Sequence, residues 1–363
     1  MTGFWYYDFY RWSRKRVSNA FSEKVLNKLG DISAYIFYVF VWSSVAGFSG
    51  GCSIKQIAVN SVADALSAES TGTFASDNDP ELVGDALPFA LKTMESLLES
   101  TPNHKNLLIA TSSGFVQYAH AYVVRPAEAV ESTDISYARE QRLRAKRLFL
   151  RARNYGLRAL DLDYPSVSDS LLKNRLSIVP RFKKADIPAI YWTAVAWGSS
   201  ISMAKNDMAL VSNFPVVEAL MARALQLDES WGNGALHEFY IILSAGKPES
   251  QGGGFAVAEQ HFKRAMELNE GRSVSPIVYL AETVCVQQQN RTRFKELLTE
   301  VLEFDTDRYP ENRLANILAQ RKARLLMSNI DNFFLSNDVD DPRENGLKKN
   351  SEDGDDQPKE NTP

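Results

Sequence analysis

From about residue 81 to residue 334 the apolar residues recur three and four positions apart, segment after segment. That is the period of helices buried along one face. The segments run over 81–99, 104–124, 135–161, 187–205, 214–227, 231–245, 255–269, 275–289, 292–304 and 311–334, each set off by Pro, Gly, Asn or Asp. No two alternating apolar–polar runs flank a hairpin turn, so no sheet is expected. The expected fold class is all-α. Asn78-Asp79-Pro80-Glu81 opens the array with a cap candidate, a proline for the first turn and an acid beside it.

The helix ends repeat. Arg158-Ala159-Leu160-Asp161-Leu162-Asp163 is echoed by Arg223-Ala224-Leu225-Gln226-Leu227-Asp228, then by Arg264-Ala265-Met266-Glu267-Leu268-Asn269 and Glu300-Val301-Leu302-Glu303-Phe304-Asp305. The later separations, 41 and 36 residues, approach the tetratricopeptide (TPR) period of about 34. Ala258, Phe262 and Ala265 sit where such a repeat needs small and aromatic residues on its second helix. Val217, Met221, Ala224 and Phe294, Leu298, Val301 are their counterparts one repeat earlier and one later. The first-helix Trp-Leu-Gly-Tyr pattern is not recognisable, so the units read as TPR-like helical hairpins stacked into a curved solenoid or bundle. Such an array has a concave face that binds peptides, proteins or ligands.

Charge and cysteine content narrow the function. The formal charge is −4 and only Cys52 and Cys285 are present. A disulfide scaffold and a multi-cysteine metal site are excluded, and no concentrated basic footprint points to nucleic acid. Residues 1–31 carry +3, whereas 336–363 carry −5 and almost no aliphatics, the signature of a disordered acidic tail.

Residues 32–51 hold no charge, follow a basic stretch and end in Ser49-Gly50-Gly51 directly before Cys52. This is the layout of a secretory signal, and small residues before a cysteine resemble the bacterial lipobox. The reading is a lipoprotein signal over 1–51, lipidation at Cys52, a flexible spacer over 52–80, a helical domain over 81–335 and the tail from 336. An uncleaved membrane anchor is the alternative, because about 20 apolar residues span a bilayer. No other segment reads as long and apolar enough to span.

Catalytic patterns are sparse. His237-Glu238 lacks the second histidine of a zincin, since position 241 is Ile241. His104, His120, His237 and His261 fall on different helices without metal-ligand spacing. Gly252-Gly253-Gly254 lacks the strand and lysine of a phosphate cradle, and Cys285 reads as a buried thiol. No catalytic residue, metal or cofactor is assigned.

The stretch 186–203 is apolar all round and rich in small residues, with Asp186 as its cap candidate. Trp192 and Trp197 lie about 140° apart around its axis, one suited to the core and the other to a groove. Tyr191, Trp192 and Trp197, with Trp231 and Tyr240 and the polar Asn233 and His237, form the candidate ligand- or partner-binding set.

Ala189-Ile190-Tyr191-Trp192-Thr193-Ala194-Val195-Ala196-Trp197-Gly198, then Trp231-Gly232-Asn233-Gly234-Ala235-Leu236-His237-Glu238-Phe239-Tyr240, then Gly253-Gly254-Phe255 and Ala258-Glu259-Gln260-His261-Phe262 form an ordered series. With the lipidated-looking N-terminus, this series resembles the T-component lipoproteins of TRAP-type transporters (the TatT family) over roughly 81–334. The resemblance implies a periplasmic accessory protein that is not the permease. It also implies a substrate-binding P component as partner, a small organic ligand, and ring-like homo-oligomers with a trimer as the candidate state. A helical-repeat scaffold for envelope assembly and an α-helical toroid enzyme acting on glycans are the competing readings.

Overall fold

The computed structural model describes residues 61–64 and 71–335. Cys52, the 1–51 signal and the 336–363 tail lie outside them. The described residues are helical without a strand, so the protein is all-α. The main helices are α1 (Pro80–Ser100), α2 (Lys105–Ala119), α3 (Arg125–Val130), α4 (Ile135–Asp161), α5 (Val167–Ile178), α6 (Ile187–Ser202) and α7 (Phe214–Leu227). They continue with α8 (Ala235–Ala245), α9 (Phe255–Asn269), α10 (Ser275–Leu280), α11 (Arg291–Glu303) and α12 (Arg313–Ser328). Helix α5 has no counterpart in the sequence reading, and its backbone is broken at Asn174, outside the helical region.

The helix starts are chemical. Asp79 caps α1 by accepting from the Leu82 N–H at 3.0 Å, and Asp134 and Asn290 do the same for α4 and α11. At α2 the cap is a histidine: His104 Nδ1 accepts from the Leu107 N–H. Asp186 does not cap α6, contrary to expectation. Its buried carboxylate instead accepts from the Lys183 N–H (2.9 Å), the Tyr164 hydroxyl (2.6 Å) and Lys105 Nζ (3.1 Å), so it locks the turn before the helix.

Helix α6 is the hub, packed on α2, α4 and α7. The α4–α6 approach is close because Gly156 has no side chain: a Cβ there would fall 2.2 Å from Thr193 Oγ1. Consecutive helices pair as hairpins, α8 with α9 and α11 with α12. Of the nine repeat positions all but Phe262, which is half-buried, are closed off from solvent. Val217, Met221, Ala224, Ala258, Ala265, Phe294, Leu298 and Val301 are fully buried, as is Cys285.

Three local departures shape the site. Trp231–Gly234 is not the first turn of a helix: Gly232, Asn233 and Gly234 all have positive φ, a left-handed turn that glycine and asparagine favour. The runs 104–124 and 275–289 are not continuous α-helices, because π-turns occupy His120–Val124 and Ala281–Cys285. In the first, Pro126 cannot donate to the carbonyl four residues back. The chain widens so that the Arg125 N–H reaches the His120 carbonyl instead.

The folded part also extends into the 52–80 stretch: Ala63 is buried, and Thr71–Ala75 forms a short helix against α12. Met208–Leu227 is long and apolar enough to cross a membrane, which corrects the sequence reading. Its Val216, Val217, Leu220, Met221 and Ala224 are nevertheless buried in the core.

Candidate functional site

The last long helix returns to the first. Arg321 on α12 grips Glu81 on α1 with two hydrogen bonds, 2.5 and 2.8 Å, and the Arg313 guanidinium donates to the Ser76 carbonyl at 2.8 Å. Beside this contact Lys322 is 7% exposed. It donates to Glu128 on α3 at 2.9 Å and to Glu282 in the second π-turn at 2.7 Å. Arg125 completes a four-charge knot, 3.0 Å from Glu128 and 3.9 Å from Glu282. Burial alone would raise the Glu128 carboxyl; Arg125 and Lys322 overcome it and hold the group below its ordinary range.

Between these walls lies a cavity of about 680 Å³, bounded by α1, the first π-turn, α10 and α12. That volume is within the range of small-molecule sites. The first π-turn supplies or adjoins several of its polar residues, as π-bulges at functional sites often do: His120 and Tyr122 come from it, with Arg125 just after it. The second π-turn contributes Glu282 to the charged knot behind Lys322.

His120 Nε2 is 2.9 Å from Ser199 Oγ on α6, and burial, assisted by Arg125, pushes the imidazole down to about 4. It is therefore neutral at neutral pH. The Tyr122 ring lies against α1 where Gly84 leaves room; a Cβ there would approach the ring to 2.7 Å. The Tyr122 hydroxyl is buried without a hydrogen-bond partner among the described residues.

The residues singled out from the sequence fall into two other groups and two outliers. Tyr191 packs against Trp231 at 4.8 Å and Trp192 at 5.0 Å between ring centres, all three half-buried. His237 and Tyr240 meet around His261: the two imidazole Nδ1 atoms are 2.9 Å apart, and Tyr240 stacks on His261 at 4.8 Å. Burial lowers both histidines, His261 to about 4. Among the described residues no group of three or more His, Cys, Asp or Glu side chains is arranged to hold a metal. Trp197 is core, 2% exposed, with the Arg153 guanidinium over its ring at 4.9 Å. Asn233 is exposed at the left-handed turn.

The sequence reading missed the cavity itself. Its residues lie on α1, α3, α10 and α12, and no local spacing links them. One signal was available: Ala315, Ala319, Lys322 and Leu326 share a helical stripe, so a lysine sits where an apolar residue belongs.

The sequence model of the TRAP transporter T-component family matches residues 76–334, which spans all of the helices that build the cavity. An uncharacterized protein of Treponema pallidum (strain Nichols) is 28% identical over 302 residues, covering 78% of this chain and 94% of its own length. The family match extends from the short segment before α1 through the end of α12, so the chain belongs to the TRAP transporter T-component family.

Proposed function

We propose that this protein is the lipid-anchored, periplasm-facing accessory component of a TRAP-type transporter, that it docks the substrate-binding P component, and that the cavity between α1 and α12 takes a small organic ligand. The family match over 76–334 carries this reading, because it assigns an accessory transport role and a membrane-associated place in the envelope. The cavity supports the ligand: it has the size, the aromatic walls and the few convergent polar groups of a small-molecule site. Residues 1–51 act as the signal, Cys52 carries the lipid, and the protomers assemble into a ring-like homo-oligomer. The sequence pattern and family resemblance support these three points.

An enzymatic reading needs two carboxyl groups free for acid–base work. Glu128 and Glu282 do converge, but on Lys322 and Arg125, and Glu128 is held ionised. It has no proton to donate as a general acid.

The test is purification of the full chain from detergent-solubilised membranes. Co-purification of an extracytoplasmic substrate-binding protein is expected, and intact-mass analysis should show a diacylated Cys52 as the first residue. Recovery of the chain without any such protein at low salt would defeat the docking proposal. A mass retaining residues 1–51 would replace the lipid anchor with the uncleaved one.

A further inference from the structure

Summed over the chain, acids outnumber bases and the formal charge is −4. Helix α4 runs against that balance. It carries eight cations against two acids, Glu140 and Asp161, a basic concentration that the whole-chain charge conceals. Its face with Ala145, Phe149, Ala152 and Leu160 is buried, and the helix packs on α2 and α6. Opposite that face, Arg144, Arg147, Arg151 and Arg158 follow one another at three, four and seven residues, and all are exposed. Such spacing places them on one stripe, about 21 Å from end to end at the helical rise.

The stripe is poor in counter-charge. Arg142 pairs with Glu131 and Lys146 with Asp207, but both cations lie outside it. On the stripe, Arg151 has Glu95 at 3.6 Å. That carboxylate is already held by Lys92 at 2.6 Å and by the Tyr155 hydroxyl at 2.8 Å. Arg144, Arg147 and Arg158 have no carboxylate partner among the described residues.

Aromatic rings hold these arginines instead. The Arg144 guanidinium lies 5.8 Å from the Tyr118 ring centre and donates to its hydroxyl at 3.2 Å. Arg151 lies over Phe115 at 5.4 Å and Arg158 over Tyr155 at 5.3 Å, and those two rings stack with 6.2 Å between centres. A ring attracts a guanidinium through its quadrupole without neutralising it. The charges therefore stay open to a partner, and side chains ordered beforehand lose less entropy when it docks. Tyr118 also lines the cavity and stacks on Tyr122 at 5.8 Å, so a partner seated on the stripe would lie against the cavity wall.

An anionic membrane is the other broad acidic surface. Helices that lie on membranes set bulky apolar side chains among their cations. This stripe offers one, Leu143, 50% exposed, beside the polar Ser136 and Asn154. A headgroup layer is fluid and needs no fixed guanidinium direction, whereas forked pairing with the carboxylates of a folded partner does.

We infer that the Arg144–Arg147–Arg151–Arg158 face of α4 is the surface on which the P component docks, through a carboxylate-rich face of its own. This rests on the docking reading above and gives that contact a place and a charge.

The test purifies the full chain from detergent-solubilised membranes and quantifies the recovered P component by mass spectrometry. The parent is compared with Arg144→Glu/Arg147→Glu/Arg151→Glu and with Lys173→Glu/Lys263→Glu/Lys295→Glu, which reverses three exposed cations elsewhere. At low salt the α4 triple should recover at least about tenfold less P component, and the other triple as much as the parent. Salt at about 0.5 M should lower recovery by the parent. Arg147 stacks on no ring among the described residues, so Arg147→Glu alone leaves the packing intact and should still lower recovery severalfold. Equal recovery by the parent and these α4 variants, or equal loss in both triples, would overturn the surface while leaving the docking reading in place. A parent that recovers no P component would remove both. With the parent in vesicles, α4 amides should exchange alike in phosphatidylglycerol and in phosphatidylcholine. Protection in phosphatidylglycerol alone would assign the face to lipid headgroups and overturn the inference.

Discussion

The seam between α1 and α12 and the Glu238 corner between α6, α8 and α10 both place carboxyl groups inside an all-α body, with opposite electrostatic consequences. At the seam, Glu128 is held below its ordinary range by Arg125 and Lys322 despite burial. At the corner, burial acts unopposed and Glu238 rises to about 7. A carboxyl lowered by folding contributes stability that is lost as pH falls through its folded-state value. One raised by folding contributes stability that is lost as pH rises from its unfolded value to its folded one. The seam is therefore built to stay shut at neutral pH, whereas the corner is held at a cost that grows as pH rises past the ordinary carboxylate range.

Removing a cation from the seam is the harshest way to break this contrast. Lys322→Ala leaves Glu128 and Glu282 facing each other with Arg125 alone between them. Breaking a buried ion pair from one side costs about 3–5 kcal/mol, so a large drop in the urea midpoint is expected. Lys322→Met combined with Glu128→Gln should recover much of it, because no unpaired carboxylate then remains at that contact. A Lys322→Ala chain as stable as the parent would mean that the knot of charges does not hold the seam.

Much of the contrast could be read from the sequence as pattern, and little of it as place. The helix spans 135–161, 214–227 and 255–269 coincide with the observed helices because caps and three-four spacing are local properties. The π-turns could not be read, since widening a helix by one residue leaves the apolar spacing nearly unchanged. The residues of the Tyr191–Trp231 and His237–Tyr240 groups were named, but the meeting of His237 and Tyr240 around His261 required the α8–α9 pairing. Lys322 and Glu238 carried one signal each: a charge at a position where the helix pattern calls for an apolar side chain. Their opposite roles depend on what faces them across the body, and sequence spacing does not encode that.

The corner gives the second test, smaller and of opposite sign. Glu238→Gln should stabilise the protein at pH 8 by about 3 kcal/mol, given a folded value near 7 against an ordinary 4.5. The sign follows from proton counts. Between about pH 4.5 and pH 7 the folded parent keeps a proton that the unfolded chain has released, so parent stability falls as pH rises there. His120 and His261 pull the other way: burial depresses both to about 4, so their contribution is lost as pH falls below the ordinary histidine range. The readout is therefore the difference between the variant and the parent, which should be small near pH 4 and grow to a plateau above pH 7. A difference that is flat with pH would mean that Glu238 is solvated and ionised like a surface acid.

The smallest effect is expected where the seam meets solvent. Arg321 and Glu81 make two hydrogen bonds across α12 and α1, yet both are exposed, Glu81 by 69%. Water and salt screen such a pair, and ordering two long side chains offsets most of the attraction. Arg321 also lines the cavity mouth with Glu81, so its geometry is suited to setting the opening more than the stability. Glu81→Gln should leave the thermal midpoint unchanged at high salt and lower it slightly at low salt. Amide hydrogen exchange should quicken at the start of α1 while the helix around Lys322 stays protected. Equal deprotection at both places would show that the exposed pair and the buried knot act as one latch, and the division between rim and interior would then have to be redrawn.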